Sequence, residues 1–123
     1  MISWIEKHNR ICWLATFSIA ILIFYVSSLT FESGGSSGIL SIIYHILIFF
    51  VFALFLMMAL AKGDKNKFIF LALITAILYG ITDEIHQFFV PGRAMSVQDI
   101  FLDSVGTIFA FMVYLISFEK RKR

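Results

Sequence analysis

The 123-residue sequence contains one proline and one cysteine, and only 15% of its residues are charged. The lone Cys12 excludes an intrachain disulfide framework and any zinc site built on paired cysteines. A single proline beside 15 phenylalanines excludes a disordered or collagen-like chain. The scarcity of charge excludes more. Soluble domains run at roughly 25% charged and about 45–50% apolar residues. This chain is 60% apolar, with a mean hydropathy of +0.92. A water-soluble domain of this size has a large surface to cover, and so few polar groups would leave much of it greasy. The bilayer is the solvent that this composition fits. A net charge of +2 is too small to attract nucleic acid.

The charges are clustered, and the gaps between clusters predict the architecture. Residues 11–31 and 33–61 contain no charged side chain, 62–67 form a short polar break, and 68–82 are again charge-free. An interrupted polar region then runs over 83–103, followed by apolar sequence to 118. A bilayer core needs about 20 residues of helix. The expected fold is an all-α membrane protein, a compact bundle of four transmembrane helices over about 11–30, 39–61, 68–90 and 97–118, forming one domain over 1–123. Strands are not expected, because lipid leaves an open sheet edge unsatisfied and four strands cannot close a barrel. The first segment is too long for a signal-peptide core and no A-x-A-like site follows it, so it is expected to remain as a span. The run ESGGSSG over 32–38 reads as a turn between spans, Pro91-Gly92 ends the third helix, and Ser96 is the expected N-cap of the fourth.

Lysine and arginine set the expected orientation. Lys7, Arg10, Lys62, Lys65, Lys67, Lys120, Arg121, Lys122 and Arg123 fall on one side, and Arg93 alone on the other. Both termini are therefore expected in the cytoplasm of a multi-pass protein of the cell membrane, with 31–38 and 91–96 facing outward.

The polar residues inside the spans share a depth. At about 1.5 Å per residue, His45, Asp83, His86 and Asp103 all lie roughly 6–10 Å below the outer ends of their helices. Four such residues, distant along the chain, suggest one polar chamber opening outward. Ionisable groups within spans are costly and usually face the bundle interior, where they mark a pathway or a site. On the third helix Asp83 and Gln87 are one turn apart, flanked by His86 and Glu84; on the fourth, Asp99, Asp103, Gly106 and Ala110 share a stripe. Gly80 and Gly106 are expected to let the third and fourth helices approach closely, bringing Asp83 and Asp103 together.

Asp83, Glu84, His86 and Asp103 are the candidate acid–base groups, and His45, Gln87, Arg93 and Asp99 the candidate substrate-binding residues. His45, Glu84 and His86 are candidate ligands of a divalent cation, although D-E-x-H is no recognised metal motif. Structural readings compete. Ser96 and Asp99 fit a capping box, Arg93 can pair with an acidic neighbour, and His45 can be an interior histidine held by hydrogen bonds. Met57-Met58 and the many phenylalanines read as lipid-facing or packing side chains. The basic C-terminus reads as a topology anchor. The sequence has no Gly-rich phosphate loop.

The run YGITDEIHQFFVPGRAMSVQDIFLDSVG over 79–106 closely resembles the signature of the VanZ-like family of small integral membrane proteins. The matching parts are Gly80, Asp83-Glu84, His86-Gln87, Pro91-Gly92-Arg93, Asp99 and Gly106. Ser27-Ser28 and His45 resemble smaller motifs of the family, which adds Ser28 to the candidate binding residues. Asp103 stands where the family often has Asn, and Ile43-Tyr44 replaces a common Asp-Lys. Asn and protonated Asp each offer one donor to a neighbour, so either can satisfy the same local hydrogen bonds. The resemblance implies the four-span fold, these site residues and an association with resistance to the glycopeptide teicoplanin.

Two classes of function stay open. In one, the protein binds or acts enzymatically on a membrane lipid or lipid-linked envelope precursor. In the other, it is a non-enzymatic partner of an envelope enzyme, or a proton- or ion-conducting component that would need a homo-oligomer.

Overall fold

The computed structural model describes residue 4 and residues 7–30, 38–61 and 66–123. Among them, four helices follow in chain order: α1 (Asn9–Ser27), α2 (Ile39–Ala61), α3 (Asn66–Phe88) and α4 (Val97–Lys122). No strand occurs among the described residues. Each helix is long and apolar enough to cross a membrane. At 23 residues, α2 spans about 34 Å, enough for a hydrocarbon core of about 30 Å. The expected all-helical, four-span bundle is therefore present. Most of the turn expected at 32–38, and the polar break at 62–65, lie outside the described residues.

The helix ends differ from expectation by a few residues, for local reasons. α3 stops at Phe88 because the N–H groups of Phe89 and Val90 turn back to the carbonyls of His86 and Gln87, three residues earlier, which tightens the last turn. The chain then reverses over Val90-Pro91-Gly92-Arg93, closed by Arg93 N–H donating to Val90 C=O at 3.1 Å. Gly92 has φ +79°. Proline followed by a left-handed residue is the type II pattern, and it requires glycine or asparagine at the second central position. Ser96 caps α4 as expected, its Oγ accepting from Asp99 N–H at 3.2 Å. α4 runs on to Lys122, with Lys120, Arg121 and Lys122 in the last turn, where cations complement the helix dipole.

Packing places α2 at the centre, against α1, α3 and α4, and its contact with α4 is the most extensive. Gly106 explains that closeness: a Cβ there would sit 2.3 Å from the Ile46 backbone oxygen on α2. Ala53, Met57, Ala72, Ala76, Ala110 and Tyr114 are all fully buried. Small side chains let the backbones approach, and close packing supplies the association that water supplies in a soluble bundle. The outer faces carry exposed Phe17, Ile21, Leu47, Phe70, Phe101 and Phe109. Such an apolar surface suits lipid rather than water.

Candidate functional site

The central pair joins α2 to α4. Asp99 and Asp103 are four residues apart, so both project from one face of α4, and His45 of α2 enters between them. Its Nδ1 lies 2.7 Å from Asp103 Oδ1 and its Nε2 3.6 Å from Asp99 Oδ2. Gly106, almost one turn beyond Asp103 on the same face, holds the two helices close enough for that contact. Thr107 Oγ1 donates to the Asp103 carbonyl at 2.9 Å, so its hydroxyl is satisfied inside the helix.

Behind this pair, α3 supplies Glu84, which is fully buried. Its Oε2 accepts from the Ser96 backbone N–H at 2.9 Å. In a capping box, the acid three residues into the helix makes that bond. Here the expected capping acid, Asp99, turns to His45 instead, and a carboxylate from the neighbouring helix caps in its place. Glu84 Oε1 and Asp103 Oδ2 are buried without a hydrogen-bond partner. His45, Glu84 and Asp103 each bring a possible metal-ligating atom within 4.8 Å of the others.

Further polar groups are linked by hydrogen bonds between α3 and the α3–α4 turn. Gln87 donates from Nε2 to Asp83 Oδ2 at 3.4 Å and accepts from Arg93 Nη2 at 2.9 Å. Arg93 Nη1 also donates to the Leu29 carbonyl at 3.4 Å, tying the α3–α4 turn to the end of α1. Together these elements surround an open-mouthed cavity of ≈ 830 Å³ whose wall includes Ser27, His45, Asp83, Gln87, Arg93 and Asp99. The wall also carries apolar side chains, among them Ile23, Val26, Leu40 and Ile42.

His86 and Ser28 stand apart from this cavity. The His86 ring stacks on Phe24 with centroids 4.4 Å apart, and its Nε2 meets Ser28 Oγ at 2.9 Å. Two residues along a helix amount to about 200° of rotation, so Glu84 and His86 point in opposite directions. The chain-distant polar residues thus form two groups. His45, Asp83, Gln87, Arg93 and Asp99 line the cavity and Glu84 and Asp103 are buried beside His45, while His86 and Ser28 join α3 to α1. Of the three residues considered as metal ligands from sequence, His45 and Glu84 converge, and the third residue beside them is Asp103, not His86.

Other partnerships could not be read from spacing. Gly106 faces the α2 backbone, not α3 as expected, whereas Gly80 faces the Asp103 side chain and the Phe49 ring at 3.2–3.3 Å from an added Cβ. The Ser96 N–H as the partner of Glu84 left no sequence signal beyond a polar residue at a helix start. Tyr79 OH donating to the Ala20 carbonyl at 2.6 Å was equally silent.

Comparison with curated proteins and with solved structures gives no match. The family model described as VanZ/LLP1 matches residues 4–118, a span that includes α1, α2, α3 and all but the end of α4. The chain that builds this histidine–carboxylate cavity into a four-helix membrane bundle is a member of the VanZ/LLP1 family.

Proposed function

We propose that the protein binds the polar headgroup of a lipid or lipid-linked cell-envelope precursor in this chamber, on the outer face of the cell membrane. The observation that carries the reading is the mixed make-up of the cavity wall. It combines Asp83, Asp99 and His45, the Arg93 guanidinium, and the apolar side chains of Ile23, Val26, Leu40 and Ile42. A headgroup combining a phosphate with hydroxyl or amine donors matches that make-up. The guanidinium suits a phosphate, Asp83 and Asp99 accept from donors, and Ile23, Val26, Leu40 and Ile42 meet the first carbons of the tail. The lysine and arginine distribution supports the outward orientation. Any effect on teicoplanin sensitivity would be downstream of such binding.

A proton or ion path through the bundle is less well supported. Among the described residues, no buried carboxylate or histidine lies beyond Asp103 toward the opposite end, where Phe52, Met57, Ala110 and Tyr114 fill the interior. The test is to incubate the delipidated, purified protein with defined envelope lipids and identify the retained species by mass spectrometry. Retention of one headgroup class, lost in Arg93→Ala and Asp83→Ala, is expected, and turnover would register as a changed lipid mass. Retention that simply follows the composition of the mixture would refute the reading.

A further inference from the structure

Three helices bring one ligand-type side chain each to the same point. His45 of α2, Glu84 of α3 and Asp103 of α4 are 6%, 0% and 2% exposed, and their ligating atoms lie within 4.8 Å of one another. The way each is held is informative. Glu84 is anchored through Oε2 by the Ser96 N–H, and Asp103 through Oδ1 by the His45 ring. The second oxygen of each, Glu84 Oε1 and Asp103 Oδ2, is buried and meets no donor. A bare buried acceptor is costly, the more so on a charged group. Two such oxygens in one cluster, each on a carboxylate fixed in place by its other oxygen, make a preoriented pair of empty ligand positions. Asp99 Oδ2 lies 3.6 Å from His45 Nε2, so Nδ1, 2.7 Å from Asp103 Oδ1, is the nitrogen that would exchange that contact for an ion. Metal-ligating histidines are commonly fixed by a carboxylate on the second nitrogen.

We propose that His45, Glu84 and Asp103 form a buried divalent cation site beside the chamber, with His45 alone of the three on the chamber wall. One imidazole nitrogen and two carboxylate oxygens suit Zn²⁺ or Mn²⁺ better than Ca²⁺, which takes six to eight oxygens. Ligands at about 2.1 Å from a tetrahedral zinc stand roughly 3.4 Å apart. Side-chain rotations of about 1 Å therefore close the cluster onto an ion. Two positive charges offset the two buried carboxylates, and water completes the coordination. The site needs no lipid, so its failure would leave the headgroup reading standing.

The full chain, purified in detergent and stripped with a chelator, is titrated with Zn²⁺ alone and with Mn²⁺ alone. One equivalent of at least one of the two ions should bind per chain. Glu84→Gln and Asp103→Ala should each weaken that binding at least ten-fold. His8→Ala, an exposed histidine at the start of α1, should leave it unchanged. Elution volume and helical circular dichroism establish that each variant is folded. A second readout avoids dependence on those variants: the visible spectrum of the Co²⁺-loaded wild-type chain should change when His45→Gln replaces the imidazole with an amide. Wild-type protein that takes up neither ion stoichiometrically overturns the proposal. So does binding of unchanged affinity in folded Glu84→Gln and Asp103→Ala proteins.

Discussion

Gly106→Ala should damage the protein through a single methyl group. The added Cβ would stand 2.3 Å from the Ile46 carbonyl oxygen and 3.1 Å from both the Ile46 carbonyl carbon and the Phe50 nitrogen. All three neighbours are backbone, so no rotamer change can make room. Ordinary contact begins near 3.4 Å, so α2 and α4 must separate by about 1 Å locally. The cost of overpacking a well-packed core is about 1–3 kcal/mol. The same separation stretches the 2.7 Å His45–Asp103 contact past hydrogen-bond range. Gly80→Ala supplies the contrast, because its nearest neighbours are the Phe49 ring and the Asp103 side chain at 3.2–3.3 Å, which can yield by a few tenths of an ångström. Reversible unfolding in mixed detergent micelles should show Gly106→Ala destabilised by about 1–3 kcal/mol, and Gly80→Ala by clearly less. Headgroup retention should fall in Gly106→Ala even where the protein remains folded. Equal stability of Gly106→Ala and wild type would refute the close α2–α4 approach on which the site depends.

Asp103→Asn keeps a donor and an acceptor beside His45 and should retain headgroup binding, whereas Asp103→Ala should lose it in the lipid-retention assay. Gly92→Ala forces a left-handed conformation on a residue with a Cβ, at a cost of about 1–2 kcal/mol. It should lower thermal stability and weaken headgroup retention by displacing Arg93, and Gly92→Asn should do so less. In a Cys12→Ser background, an impermeant thiol reagent on intact cells should label Gly35→Cys and not Asn66→Cys. Labelling at 66 alone would put the chamber on the cytoplasmic side.

Much of the fold was legible because charge in lipid is expensive: the gaps between charged clusters marked four spans to within a few residues. The ends were less legible, since α3 is closed by turns at Phe89 and Val90 whose hydrogen bonds leave no compositional trace. Depth along a helix was equally readable, and it placed His45, Asp83 and Asp103 at one level. Rotation about the axis was not. Glu84 and His86 share the depth, yet one enters the cluster and the other packs on Phe24 toward α1. Asp99 shows a further limit, because Ser96 does cap its N–H while Glu84 from another helix takes over the carboxylate's half of the box. Met57 and Met58 illustrate the ambiguity of apolar runs. Both are buried, which residue type alone could not distinguish from lipid contact.

The most direct test of the central claim is site-specific photocrosslinking in native membranes. A benzophenone side chain introduced in place of Tyr44 or Leu102, both on the cavity wall, would be compared with one in place of Phe109, an exposed residue of the outer surface. Mass spectrometry of the adducts reads out which lipids each position touches. The Tyr44 and Leu102 positions should capture one phosphate-bearing headgroup class well above its membrane abundance, while the Phe109 position samples the bulk lipid. Adducts of the same composition at all three positions would contradict it.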